Sequence, residues 1–144
     1  MFSKACEYGI KAALVIAANA KDNSRISLND ISSQINSPVA FTAKILQKLT
    51  KSGIIKSLKG PTGGFEIESN NLSRIMLSQI VTAIDGDSIY NGCALGFSNC
   101  NEAKPCPVHN KFKAIRNSLK RMLETTSLLD LSKDINNGLT FLKQ

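Results

Sequence analysis

Three of the four cysteines and the only histidine of the chain fall in one stretch, CALGFSNCNEAKPCPVH, residues 93–109. Thiolate and imidazole are ligands for soft and borderline metals, and thiolates are also redox-active nucleophiles. Cys93, Cys100, Cys106 and His109 are therefore open to four chemistries: a disulfide, a zinc site, an iron–sulfur cradle, or a nucleophile with its base. The N-terminal stretch MFSKACEYGIKAALVIAANA carries Glu7 and Lys11 inside its apolar run, which reads as a helix and not as an export signal. A chain kept in the reducing cytoplasm does not hold permanent disulfides, so the first option drops out. Closed zinc sites favour knuckles with about two to four residues between paired cysteines. Here six residues separate Cys93 from Cys100 and five separate Cys100 from Cys106, while only Cys106 and His109 stand that close. A loop containing Gly92, Gly96, Pro105 and Pro107 can wrap its sulfurs around a volume larger than one ion. That places an iron–sulfur cluster ahead of zinc, with a metal-free thiol switch as the third reading. Catalysis is disfavoured, because Cys106 and His109 would have no orienting partner. The glycines of GPTGG also lack the lysine and the strand-to-helix context of a nucleotide loop. Cys6, on an apolar helix, reads as a small buried filler.

The second chemistry is electrostatic. Eighteen basic against eleven acidic residues leave a net charge of +7, and from Ile31 to Phe65 there are five lysines and no Asp or Glu. Such a window suits a polyanion, since lysines near phosphates release condensed counterions. The elements that would carry it are short. SLNDISSQI offers Ser27 as N-cap, with Leu28, Ile31 and Ile35 at helical spacing, and a turn follows at Asn36. In SPVAFTAKILQKLTKSG, Ser37 can cap, Pro38 suits the first helical position and Gly53 ends the run. Ile45 and Leu49 mark its buried side. IIKSL and FEIE around the turn KGPTGG read as a β-hairpin with Lys59 at its tip. Two helices in a tight turn followed by a hairpin describe a winged helix-turn-helix, with the second helix in a major groove of double-stranded DNA. The expected contacts are Pro38, Ala40, Phe41, Ala43, Lys44, Gln47 and Lys48 on the helix, and Lys59 and Thr62 on the wing.

Around this unit, Cys6 to Ala20 forms a first helix with Tyr8, Ala13, Leu14 and Ala17 against the helix-turn-helix, and LSQIVTAIDG a short one ending at Gly86. The run NKFKAIRNSLKRMLETTSLLDL reads as one long helix with an apolar stripe of Phe112, Ile115, Leu119 and Met122. Its basic face is Lys111, Lys113, Arg116, Lys120 and Arg121. So long a stripe in so small a chain suits pairing with the same helix of a second subunit, and twofold symmetry would present two recognition helices to a palindromic operator. The expected organisation is a mainly α fold with a small hairpin: residues 1–86 as the DNA-binding domain, 87–109 as the cysteine loop, and 110–144 as the dimerisation helix and C-terminal segment. No stretch approaches the ~20 apolar residues of a membrane span, and neither a membrane nor a small-molecule substrate is expected as partner.

The run PVAFTAKILQKLTKSGIIKSLKGPTGGFEI, followed by IVTAIDG and the three-cysteine loop, resembles the winged-helix regulators that include IscR, NsrR and CymR, over roughly Lys4 to Leu131. Lys59 stands where that family's wing carries an arginine, which keeps the charge and loses the planar fork, so phosphate contact is expected over minor-groove insertion. The resemblance implies an iron–sulfur cluster held by Cys93, Cys100 and Cys106, with two irons expected ahead of four. The fourth ligand would be His109 at the IscR-type spacing, or alternatively Glu7 of the first helix, offered from a partner subunit. It further implies a cytoplasmic homodimer that regulates transcription, expected as a repressor, and senses iron–sulfur status, redox stress or nitric oxide. The alternative is a winged-helix regulator with zinc or no metal in the loop, responding to thiol oxidation or a protein partner. A metal-carrying interaction protein that binds DNA without regard to sequence is the reading furthest from these.

Overall fold

The structure, a computed structural model of the chain, describes residues 1–22 and 24–143; Asn23 and Gln144, the last residue of the expected C-terminal segment, lie outside the described residues. Helix α1 (Lys4–Ala18) starts two residues before the expected Cys6 because Ser3 caps it, its hydroxyl accepting from the Cys6 N–H at 3.0 Å. The Ser3 N–H in turn donates to the Asp85 carboxylate at 3.0 Å. From Ala12 to Ala17 every side chain of α1 is buried, because helices α2, α3, α4 and α7 introduced below pack around it. Tyr8 meets Phe41 edge-on with ring centroids 5.7 Å apart, and Cys6 is the expected filler, fully buried. Burial first, and the Asp85 carboxylate second, push its thiol up to about 12, which leaves it unreactive.

Helix α2 (Leu28–Ile35) begins at Ser27, whose side chain accepts from the Asp30 N–H, and ends at Asn36 in the left-handed region with φ 52°. Helix α3 (Val39–Lys51) starts one residue later than expected, with Pro38 at the cap position and its carbonyl taking the Thr42 N–H at 2.9 Å. Ser37 does not cap. It is buried in the turn, where its hydroxyl accepts from Thr42 Oγ1 at 2.9 Å and its carbonyl from the Ser32 hydroxyl. This small polar knot fixes the angle between α2 and α3 while Ile31, Ile35, Ile45, Leu46 and Leu49 fill the core between them.

Strand β1 (Lys56–Leu58) pairs antiparallel with β2 (Gly64–Glu66), in the register Lys56 to Glu66, Ser57 to Phe65 and Leu58 to Gly64. Both strands are shorter than IIKSL and FEIE suggest, because Ile54, Ile55 and Ile67 leave the ladder for the core. Ile26 adds a bridge to Phe65, with N–H to carbonyl bonds of 3.0 and 2.9 Å, and so ties the wing to the chain ahead of α2. The paired glycines of the turn have separate reasons. A Cβ at Gly63 would stand 2.2 Å from the Leu58 carbonyl oxygen, and Gly64 adopts φ +140°. Gly63→Ala is therefore expected to reshape the wing while the core stays folded, lowering operator affinity on the order of tenfold, about the weight of one lost DNA contact. Equal affinity for variant and parent in a binding titration would place the wing away from DNA.

Helix α4 (Leu77–Asp85) ends at Gly86 with φ 75°, as its sequence predicts, and a single turn α5 (Ser88–Asn91) leads into the cysteine stretch. The run after the loop is two helices, not one: α6 (His109–Thr125) and α7 (Leu128–Asn136). The break is held from outside the run. The Leu77 N–H donates to the Thr126 carbonyl at 3.0 Å and the Leu128 N–H to the Ile75 carbonyl at 2.9 Å, so residues 75–77 clasp 126–128 like a short strand pair. Ser127 and Asp130 then form a capping box that starts α7, which folds back onto α1. Among the described residues no helix is long and apolar enough to cross a membrane.

Candidate nucleic-acid interface and cysteine recess

The expected DNA-contacting residues divide between α3 with its cap and the wing. Pro38, Ala40, Lys44, Gln47 and Lys48 are exposed on α3, Ala43 is half-buried beside them, and Phe41 turns inward onto Tyr8. A groove of about 550 Å³ runs between helix and wing, lined by Ala43, Lys44, Gln47 and Lys51 from α3 and by Ser57 and Phe65 from the hairpin. Lys59 and Thr62 are exposed at the wing tip. One basic residue here escapes sequence reasoning: Arg25, whose guanidinium donates to the Thr62 carbonyl at 3.2 Å and pairs with Glu66 at 3.3 Å. It reaches the wing only because Ile26 bridges to Phe65, a pairing no local motif announces.

The four expected metal ligands also come together. Cys93, Cys100, Cys106 and His109 all line one cavity of about 490 Å³, walled further by Phe97, Asn99, Lys104 and Pro107. His109 is the first residue of α6 and is buried, its N–H donating to the Cys106 carbonyl at 3.0 Å and its Nδ1 lying 3.3 Å from Cys100 Sγ. Cys93 sits in a nest of backbone amides. The N–H groups of Leu95 and Phe97, with Gly96 and the Arg116 guanidinium, hold its thiol below the ordinary range. All four cysteines are free thiols. Among the described residues no three His, Cys, Asp or Glu side chains close on a single-ion site. Glu7 is not part of the cavity wall; it lies on α1, 3.2 Å from Lys4.

Two features of this region depart from the sequence reading. The face of Lys113, Arg116 and Lys120, which periodicity assigns to solvent, turns onto the cysteine stretch: Arg116 donates to the Gly92 carbonyl and, at 3.4 Å, to Cys100 Sγ, while Lys113 pairs with Glu102. The apolar stripe, in contrast, is left open except at Leu119, which packs against the core. Phe112, Ile115 and Met122 are 40%, 63% and 44% exposed, and Leu123 is the one large apolar side chain of α6 that is fully buried.

Residues 2–134 match the Rrf2 family, described as "Iron-dependent Transcriptional regulator". Among curated proteins, the chain is 25% identical over 127 residues to the HTH-type transcriptional regulator IscR of Vibrio campbellii, covering 88% of this chain and 74% of that protein. Among solved structures it is similar to CymR, the global cysteine regulator of B. subtilis, with a TM-score of 0.74 at 21% identity over 92% of this chain and 96% of that one. It is also similar to IscR of T. potens, with a TM-score of 0.71 at 18% identity over 97% and 91% of the two chains. These likenesses establish the winged-helix fold. The chain belongs to the Rrf2 family, and with it is a transcriptional regulator rather than an enzyme.

Proposed function

We propose that this regulator is a cytoplasmic homodimer that binds a palindromic operator, acts as a repressor, and senses iron–sulfur status, redox stress or nitric oxide through a cluster in the 93–109 recess. The observation that carries this reading is the convergence of Cys93, Cys100, Cys106 and His109 on one cavity at the start of α6. The donor set fits a cluster: three sulfurs and an imidazole around a space larger than one ion needs, with amide N–H groups and a guanidinium to offset anionic charge. Two irons are favoured over four, with a histidine in place of one thiolate reducing the negative charge. His109 is the fourth ligand in this reading, since it lines the cavity within the chain; Glu7 could serve only from a partner subunit. A bound cluster would supply a centre that oxidants and nitric oxide attack.

The chain's own residues then do the rest. Residues 1–86 read DNA, 87–109 hold the cluster, and 110–144 join the subunits through Phe112, Ile115 and Met122, so a change in the loop reaches α6 at His109 and shifts the spacing of the two α3 helices. On the DNA, Ala40 and Ala43 allow close approach, Lys44 and Gln47 reach base edges, Lys48 and Lys59 take phosphates, and Pro38, Phe41 and Thr62 shape the flanks of the contact. Lys44→Ala is expected to weaken operator binding by about 1–3 kcal/mol and to relax the choice of base at one position. A uniform loss on all sequences, in a competition assay at fixed salt, would reassign Lys44 to the backbone.

The deciding experiment is a visible absorption spectrum with iron, sulfide and zinc assays on protein purified without oxygen, beside Cys100→Ala. Brown protein with iron and sulfide, bleached in air and colourless in the variant, is the expected result. Loaded and metal-free protein are then expected to differ in operator affinity at matched salt. Colourless protein that also resists reconstitution would favour the second reading, in which the same recess holds zinc or serves as a thiol switch; His109 against Cys100 Sγ is the contact that would support it.

A further inference from the structure

Lys113, Arg116 and Lys120 follow His109 at four, seven and eleven residues, one stripe along α6. Each finds a partner in the stretch between α4 and α6. Lys113 pairs with Glu102, Arg116 holds Gly92 and Cys100, and the Lys120 ammonium lies 5.8 Å from the Tyr90 ring centroid. Arg116 is the middle fastener and makes two bonds at once, to a carbonyl immediately before Cys93 and to a sulfur seven residues after it. Only a planar fork with several donors can span such a pair. On the same helix Ile115 is its neighbour and Phe112 stands one turn earlier, both in the exposed apolar stripe.

We propose that Arg116 is a positioning residue that latches the arm from Gly92 to Cys100 onto α6 without help from a metal, and that carries displacement of that arm into the subunit-facing stripe beside it. The second half of the statement rests on the cluster and dimer readings above; the first half does not. Loss of the bond to Cys100 Sγ frees the arm at its Cys100 end while Lys113 and Lys120 still hold Glu102 and Tyr90 beyond its two ends. The arm then moves as a flap and not as a general melting of the loop. When the cluster is bound, the same N–H faces a ligand sulfur, where a donated hydrogen bond makes the centre easier to reduce.

The test uses the full chain as Arg116→Met, which removes the donors at similar length, and Arg116→Lys, which keeps the charge without the fork. In metal-free protein, amide hydrogen exchange across residues 92–102 is expected to rise about tenfold or more in Arg116→Met, with α2 and α3 unchanged and Arg116→Lys between the two. Exchange equal to the parent would overturn the latch. Faster exchange everywhere, α2 and α3 included, would overturn it as well, making Arg116 a support of the whole core. In cluster-loaded protein the reduction potential is expected to become more negative in Arg116→Met and to recover in part in Arg116→Lys; an unmoved potential would overturn the sulfur contact in the loaded state. Should the parent take up no cluster on reconstitution, the cluster reading fails by itself and the exchange measurement alone decides the latch.

Discussion

In the proposed homodimer, Ile115→Glu is expected to leave each subunit folded, to convert dimer to monomer, and to lower affinity for the proposed operator by about 10²–10⁴-fold, the range by which linked binding exceeds single-site binding. Ile115 is 63% exposed and shares its stripe of α6 with the exposed Phe112 and Met122, while Leu119 of that stripe packs against the core. A carboxylate there costs the isolated subunit little because water already reaches the site. In a subunit interface the same carboxylate would be stripped of water opposite its own symmetry mate, which is unfavourable twice over. The affinity loss follows from geometry, since each half of a palindrome would have to be bound separately. Sedimentation equilibrium gives the mass, far-UV circular dichroism the fold, and titration on whole and half operators the affinity. A variant that stays dimeric would remove α6 as the interface.

Leu123→Ala is expected to destabilise the protein by about 2–5 kcal/mol, a large share of the ~5–15 kcal/mol that holds a domain together. Leu123 is fully buried, on a helix whose other large apolar side chains are at least partly open, and Leu128 just beyond the break is fully buried as well. α6 packs on α4, and Leu123 is its one large apolar side chain buried completely in the core cluster. Urea unfolding should show a lower midpoint with little change in slope. A loss below about 1 kcal/mol would mean that α6 floats on the domain.

Much of this was legible in the residues alone, for local reasons. Ser27 with Asp30, Asn36 in its left-handed turn, Gly86 after α4 and the paired glycines of KGPTGG act within a few residues of themselves, so their chemistry predicts their conformation. The cysteine spacing likewise admits a shared cavity, and the four donors are brought to one. Nonlocal effects were not legible. The break at Thr126 depends on hydrogen bonds to Ile75 and Leu77, and the Ser127–Asp130 cap that marks it is easily passed over inside a strong apolar period. Arg25 reaches the wing through a bridge from Ile26, and Arg116 looks like any solvated arginine until the loop folds onto it. Ser37 was given a capping role that its burial with Thr42 removes.

The return of α7 onto α1 also bears on how the chain is made. α1 precedes every other element in chain order and so is synthesised before them, yet one of its walls consists of residues 128–136. Contacts so distant in sequence slow folding, and at ~5–20 residues per second the wall arrives several seconds after α3 and the wing have emerged. The winged helix therefore matures only once the cysteine stretch and α6 are already synthesised. A nascent or prematurely terminated chain lacks that wall, so unfinished copies would be drawn to proteolysis before the winged helix could mature.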